Sequence, residues 1–307
     1  MQDHITQTSH PVRPNFIIAG ASRSGTTSIY RYLKQHPEVF MPETKEPYYF
    51  VNEKIGVNDL NAYLSLFQFG RGKKAIGEAS TAYLTSHESA GWIKKELEVP
   101  RIIIMLRNPA NRAFSLYGWM VMEGYERLTT FEEALMEEDS RYSSHQFRES
   151  VDYFWDYMYF QSGLYYEQVK RYQEHFGPEL VRIHLFEDMV KDPLRVCRDI
   201  FAFLGVSRDF IPRIELHNKG RIPRSITLQY WVRKNMRRNL PRPFMLVPER
   251  LRRVVFRRLE KLNKQFGKAP ENSVESYGRL MALYRDNILQ LEELLGRDLS
   301  VWYDSSI

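Results

Sequence analysis

Short apolar runs alternate with amphipathic stretches along the first two thirds of the chain. Phe16-Ile17-Ile18-Ala19 reads as a buried strand, Gly20 to Gly25 as a glycine- and serine-containing turn. Thr26–Gln35 then places Ile29, Tyr30 and Leu33 on one helical stripe and stops before Pro37. A second strand is expected at Lys74–Gly77 and a third at Arg101–Leu106 (RIIIML), between Pro100 and Pro109. The unbroken apolarity of the third suits a central parallel strand covered on both faces. Asn108 is placed to cap the next helix, with Pro109 in its first turn, and that helix runs to about Glu123. Leu164–His175 is amphipathic and ends at Gly177-Pro178; Val181–Phe186 (VRIHLF) alternates as a strand. Pro193–Leu204 and Ser276–Leu295 read as helices, the latter with Leu280, Leu283, Tyr284, Ile288 and Leu291 on one stripe. Strand–helix alternation of this kind predicts an α/β fold, a central parallel sheet flanked by helices. The expected organisation is a flexible tail, 1–14, and one domain, 15–307. Residues 206–270 hold Pro212, Pro223, Pro241, Pro243, Pro248 and Pro270 among arginines, so a basic, irregular subregion is expected at about 222–270.

Composition narrows the class. The 307 residues are 43% hydrophobic and 27% charged, enough apolar material for a core. No run of about 18 apolar residues occurs, so no membrane span is expected. The polar start MQDHITQTSHPVRP lacks the apolar stretch of a secretory signal, and the single cysteine, Cys197, has no internal partner. Both features predict a reducing, cytoplasmic setting, with Cys197 a buried small hydrophobe. Net charge is +6, unevenly spread: residues 231–259 carry ten Lys or Arg against Glu249, or +9, leaving −3 for the rest. A segment so basic suits an anionic partner: nucleic acid, acidic lipid, an acidic carrier protein or an acidic substrate.

The candidate chemistry begins at Gly20-Ala21-Ser22-Arg23-Ser24-Gly25-Thr26-Thr27, between a strand and a helix, where amides and the helix dipole favour an anion. Gly25 allows close backbone approach, and Thr26, Thr27 and Ser28 add hydroxyl donors. The Gly20–Gly25 spacing is that of a nucleoside-triphosphate phosphate loop, yet Thr26 stands where that loop has Lys. The cation comes earlier, at Arg23, which suits a nucleotide with one 5′-phosphate and a further small anionic group. A second anion site is expected where RIIIML runs into Arg107, with Ser115 on the following helix. Two anion sites at neighbouring strand ends suggest a nucleotide phosphorylated on both its 5′ and 3′ sides.

Together with HPEV (36–39), KEPYYF (45–50), RIIIMLRNPANRAFSLY and His217-Asn218-Lys219-Gly220-Arg221, this loop resembles the sulfotransferases, enzymes that use 3′-phosphoadenylyl sulfate (PAPS). The similarity is closest to the branch of heparan sulfate O-sulfotransferases and bacterial relatives; it runs in order from Phe16 to Gly220, and LEELLGRDLSVWY near the end also fits. The resemblance implies a P-loop-type three-layer sandwich and in-line transfer of a sulfuryl group from PAPS to an acceptor hydroxyl, releasing PAP, with no metal. It implies that Arg23, Ser24, Gly25, Thr26, Thr27 and Ser28 hold the 5′-phosphosulfate. Arg107 and Ser115 would then hold the 3′-phosphate, and Lys219, Gly220 and Arg221 would close over the nucleotide. Glu46 matches the catalytic base; Glu78 and His217 are alternatives. Two positions depart from the family pattern. Arg23 stands where a Lys is usual, and Ala79 where the carbohydrate enzymes have Lys.

The acceptor remains open between a glycan, a glycolipid and a hydroxyacyl chain on an acidic carrier protein. The basic segment 231–259 offers peripheral membrane contact in preference to nucleic acid. Two other classes compete. A phosphate-loop kinase or NTPase lacks its lysine here, and a basic binding module would leave the loop inert.

Overall fold

In a computed structural model the described residues are 11–214, 221–237, 255–259, 262–266 and 274–303. They gather into two compact units. One takes the described residues up to 106 and from 169 to 214, the other residues 107–168 and those from 221 onward.

The first unit is built on five parallel strands: β1 Phe16–Gly20, β2 Val39–Phe40, β3 Ala75–Ala79, β4 Arg101–Leu106 and β5 Val181–Leu185. Their order is β2-β3-β1-β4-β5. Ile17 pairs in register with Glu78 on one side and Ile102 on the other. The two longest apolar runs, β1 and β4, are thus interior strands, as unbroken apolarity requires. The chain leaves β1 for the far edge, returns through β3, and crosses to β4. That reversal places a topological switch point at the carboxyl end of β1, where open α/β sheets bind ligands.

Helix α1, Thr26–Gln35, follows the β1 loop; α2 (Leu60–Ser65), α3 (Ala82–Thr85) and α4 (Ser89–Glu96) lie between β2 and β4. Strand geometry sends alternate side chains to opposite faces. Phe16, Ile18, Ala79, Ile103 and Met105 pack in one core with Ile29 and Leu33 of α1 and with Val196, Cys197, Ile200 and Leu204 of the helix Pro193–Leu204. The opposite face carries Ile17, Glu78 and Ile102, with α3 lying along β1. Cys197 is buried in the first of these cores, which pushes its thiol up to about 12.

His36 of the HPEV motif caps the end of α1 and is itself buried. Its Nδ1 accepts from the Glu38 amide at 3.1 Å and its Nε2 lies 2.9 Å from the Ser207 carbonyl, so the ring stitches α1 to the segment after the Pro193 helix. That is a structural role.

The second unit opens with α5, Pro109–Met122. Asn108 caps it as expected, its side chain accepting from the Asn111 amide at 2.9 Å, while its Nδ2 donates to the Trp302 carbonyl at 2.6 Å. Three short helices follow, α6 (Phe131–Met136), α7 (Glu138–Ser143) and α8 (His145–Ser150). The aromatic interval 153–160 does not form a helix: a 3₁₀ turn at Trp155–Tyr157 buries Phe154 through Tyr159. Tyr157 donates to the Tyr125 carbonyl at 2.8 Å and Tyr159 to Glu126 at 2.9 Å. Glu126 also takes both Arg141 nitrogens, at 2.7 and 3.0 Å, and is fully buried. These aromatics fill the interior around a satisfied buried ion pair.

Helix α9 is Tyr165–Phe176, and after β5 come α10 (Phe186–Lys191) and α11 (Pro193–Leu204). The chain's last described elements are α12 (Ile226–Arg237), an antiparallel pair of β6 (Arg221–Pro223) with β7 (Lys264–Phe266), and α13 (Val274–Leu295). The expectation that 222–270 is irregular is therefore corrected over its described part. Its prolines fall at the end of β6 or outside the described residues, so between Ile226 and Arg237 nothing interrupts a helix.

Candidate functional site

The β1 loop is a turn that only small or left-handed residues can make. Gly20 has φ 148° and Gly25 φ 86°, and Arg23 between them is also left-handed at 66°. A Cβ on Gly20 would lie 2.8 Å from the Thr81 carbonyl; one on Gly25 would lie 2.4 Å from the Met189 methyl of α10. The left-handed backbone at 25 favours glycine, and any Cβ there would also push the Met189 side chain aside. Gly25 then serves as N-cap of α1, without a side-chain cap; its carbonyl accepts from the Ser28 amide at 3.0 Å, and the helix geometry leaves the amides ahead of it facing out of the helix end. Ser24 beside it is completely buried, and among the described residues its hydroxyl has no hydrogen-bond partner. A buried hydroxyl lacking a partner costs about 1–3 kcal/mol, which an anion seated at this helix end would recover. Thr26 is buried, Ser28 half-buried and Thr27 exposed; Arg23 is half-buried. The donor set fits an anionic group.

Glu46 reaches the same end of the sheet. Its amide donates to the Ala79 carbonyl of β3 at 3.0 Å. Glu46 (φ 62°) and Tyr48 (φ 54°) flank Pro47, two left-handed non-glycine residues two positions apart, and such conformations cost about 1–3 kcal/mol each. The kink aims the carboxylate into a defined set of donors. Lys45 Nζ pairs with Oε1, Thr81 Oγ1 donates to Oε1 at 3.4 Å, and Tyr48 Oη donates to Oε2 at 2.8 Å. Of about four acceptor positions on a carboxylate, three are engaged, and one on Oε2 is left for a further hydroxyl. The Glu46 side chain is 28% exposed, so that position is open to solvent. Thr81 ties the parts together: its carbonyl abuts Gly20 of the phosphate loop and its hydroxyl touches Glu46.

Glu78 sits differently. It is fully buried beneath β3, accepting from Ser80 Oγ at 2.8 Å and Tyr63 Oη at 3.4 Å. Burial pushes its carboxyl up to about 7. With no exposed surface, it holds the loops carrying Tyr48 and Tyr63 instead of meeting an acceptor. Ser80 passes the link on by accepting from the Tyr48 amide at 3.2 Å. Glu78→Gln gives a pH-dependent outcome. A folded value near 7 against 4.5 unfolded means that the folded state keeps a proton the unfolded state has lost. The wild-type chain therefore loses about 3 kcal/mol of stability as pH rises from about 4.5 to 7. Urea unfolding at pH 5 and pH 8 should show a smaller drop in Glu78→Gln. Glu138, also pushed up to about 7 by burial, leaves its own drop in both chains.

Arg107 directly follows the last residue of β4, the strand paired with β1, and is half-buried, as is Ser115 on α5. Tyr165 donates to the Arg107 carbonyl at 2.9 Å, fixing the backbone at that point independently of the side chain. Lys219, Gly220 and His217 lie outside the described residues; Arg221 begins β6. Ala79, where a lysine was anticipated for carbohydrate enzymes, is fully buried in the sheet core. Sequence reasoning missed Tyr48, Thr81 and Ser80 as partners of the carboxylates. The signal was present: Ser80-Thr81 directly follows a strand's carboxyl end, and Tyr48 lies two residues past Glu46.

Tyr48→Phe isolates the aim of Glu46. One hydrogen bond to a charged group is worth about 1.5–3 kcal/mol, so kcat should fall by about tenfold or more. The acceptor KM should hold, because the tyrosine touches the carboxylate and not the acceptor. Steady-state kinetics with both substrates varied would separate the two.

A phosphate-type loop at the switch point of a five-stranded parallel sheet, with an open carboxylate beside it, defines a group-transfer enzyme of P-loop type. The chain belongs to the sulfotransferase family: the family model described as "Sulfotransferase domain" matches residues 13–241. The crystal structure of a sulfotransferase from Alicyclobacillus acidocaldarius superposes with a TM-score of 0.70 at 32% identity, covering 95% of this chain and 99% of that one. The membrane-associated sulfotransferase kil1 of Dictyostelium discoideum is 32% identical over 111 residues, 35% of this chain and 23% of that protein. Mouse heparan sulfate glucosamine 3-O-sulfotransferase 5 is 24% identical over 209 residues, 67% of this chain and 56% of the relative. The match therefore spans between about a quarter and somewhat over half of these curated relatives. The fold is the P-loop-type sulfotransferase fold, and the chemistry is sulfuryl transfer. The alternatives of a nucleotide kinase and an inert-loop binding module give way to it.

Proposed function

We propose that this chain transfers a sulfuryl group from PAPS to an acceptor hydroxyl, with Glu46 as the base. The observation that carries the reading is the junction at Thr81, which joins an accessible, pre-aimed carboxylate to a loop holding the unpartnered, buried Ser24 hydroxyl. PAPS, when bound, supplies the sulfuryl group and leaves as PAP. Arg23, Ser24 and the first amides of α1 would hold its 5′-phosphosulfate, with the hydroxyls of Thr26, Thr27 and Ser28 on the same turn. Arg107 and Ser115 would take the 3′-phosphate, and Lys219, Gly220 and Arg221 would cover the nucleotide.

The acceptor hydroxyl donates to the vacant position on Glu46 Oε2, and its proton passes to that oxygen as the new S–O bond forms. Charge building on the sulfuryl and leaving oxygens meets the Arg23 guanidinium and the helix amides, fixed donors that need no reorganisation. Lys45 pairs with Oε1 and leaves Oε2 to the acceptor. The acceptor class is a hydroxyl on a saccharide, a glycolipid or a carrier-bound hydroxyacyl chain; the names of the heparan sulfate relatives favour the first. Among the described residues no helix is long and apolar enough to cross a membrane.

Calorimetry with the full chain tests the donor. PAP is expected to bind equally well with magnesium or with EDTA. Tight binding of ATP–magnesium without binding of PAP would overturn the reading. Transfer of label from ³⁵S-PAPS across the three acceptor classes then identifies the acceptor.

A further inference from the structure

The sulfotransfer site leaves one strongly charged surface unexplained. Helix α12 has two unlike sides. Gln229 and Val232 are buried: Gln229 donates to the Met122 carbonyl at 2.9 Å, and Val232 packs with Phe256 and Leu259. Arg233 turns the same way, over the Tyr125 ring at 4.5 Å and 3.6 Å from Glu123. The other side is exposed and reads Arg224, Thr227, Leu228, Trp231 and Lys234. At 100° per residue these five, with Arg224 just ahead of the helix, fall within about 120° of arc; along the axis Leu228 and Trp231 lie between Arg224 and Lys234.

Leu228 is 37% exposed and Trp231 42%. The Trp231 ring lies 5.8 Å from Phe256, which brings the short helical stretch 255–259 alongside. There Val255 is 54% exposed, and Arg257 and Arg258 are both exposed. The surrounding sequence, 231–259, carries ten basic residues against one acidic.

We propose that this face is a docking surface for an anionic lipid bilayer, with Leu228, Trp231 and Val255 entering the interface and the arginines and lysine resting on the headgroups. The inference does not depend on the identity of the sulfuryl donor or acceptor. Charge alone would suit any polyanion. The decisive feature is that the cations flank a tryptophan and two aliphatic side chains; the aliphatic groups gain nothing from a hydrated polyanion, and all three gain by burial at a lipid interface. Trp is the side chain best suited to that depth, its apolar ring against acyl chains and its N–H toward water. Each Lys or Arg brought to an anionic leaflet contributes about fivefold in partitioning.

Vesicle flotation with the full chain tests this. Binding is expected to phosphatidylcholine vesicles containing about 30% phosphatidylglycerol, to weaken at least tenfold on pure phosphatidylcholine, and to weaken with salt. Arg224→Gln with Lys234→Gln should lower partitioning by about 25-fold. Leu228→Ala with Trp231→Ala should lower it by at least tenfold at unchanged net charge, while binding to heparin stays as in the parent. All four side chains are exposed, so unchanged circular dichroism melts are expected; Trp231→Phe, which keeps most of the apolar area, should recover most of the partitioning. Absence of binding to the anionic vesicles would overturn the proposal. So would binding that Leu228→Ala with Trp231→Ala leaves unchanged, since the face would then be a site for soluble polyanions such as glycan or nucleic acid.

Discussion

Glu46→Gln is expected to reduce sulfuryl transfer by about 10²–10⁴-fold, the usual worth of a positioned general base, with PAP affinity nearly intact. The substitution keeps the size of the side chain; its amide oxygen still accepts from Lys45 and Thr81, and its amide nitrogen can donate to the Tyr48 hydroxyl, so the φ 62° kink and the Thr81 junction have no reason to collapse. What it removes is the oxygen proposed to take the acceptor proton. Single-turnover transfer from labelled PAPS, alongside PAP calorimetry, reads the two quantities separately. A variant that still transfers at the parental rate would remove Glu46 from the chemistry. The burden would then fall on His217, because Glu78 has no exposed surface from which to reach an acceptor. A variant that loses PAP binding as well would show that Glu46 shapes the phosphate loop, through Thr81, instead of acting on the acceptor.

Much of this site could be read before any coordinates, and the reason is periodicity. β1 and β4 are unbroken apolar runs because both of their faces are covered, so their ends, and the loops at those ends, stand out in sequence. Asn108-Pro109 is a local capping signal and behaved as one. β3 was placed one to two residues early, at 74–77 against Ala75–Ala79, because Glu78 interrupts the apolar pattern. That buried acid is tolerated only through Ser80 and Tyr63, contacts made by residues 2 and 15 positions away that no local pattern announces. Helices α6 to α8 escaped for a related reason. Each has six residues, too few for a 3.6-residue period to declare itself, and α7 is held through Arg141 on Glu126 and through Glu138 accepting from the Phe160 amide. α12 was hidden by the basic, proline-bearing composition around it, which looked like a loop although the prolines lie outside the helix. Chemistry at strand ends was legible; the second ring of partners, which depends on tertiary contacts, was not.

Arg107→Ala should weaken PAP by about 100-fold or more, since a bidentate guanidinium–phosphate contact comprises two charge-assisted hydrogen bonds of about 1.5–3 kcal/mol each. Adenosine 5′-phosphosulfate, which lacks the 3′-phosphate, should change by no more than about threefold. The ratio matters more than either loss alone. A general disturbance at the start of α5 would lower both affinities together, whereas loss of a 3′-phosphate contact lowers only one. The local backbone has anchors that survive the substitution: the Arg107 carbonyl is held by Tyr165, and Asn108 caps α5 and reaches the Trp302 carbonyl. Ser115→Ala supplies the second arm. If Arg107 and Ser115 hold one phosphate, the double variant should lose less than the sum of the single losses in PAP binding, and the coupling should vanish with adenosine 5′-phosphosulfate. Equal losses for the two nucleotides in Arg107→Ala would place the 3′-phosphate elsewhere and leave the end of β4 with a purely structural arginine.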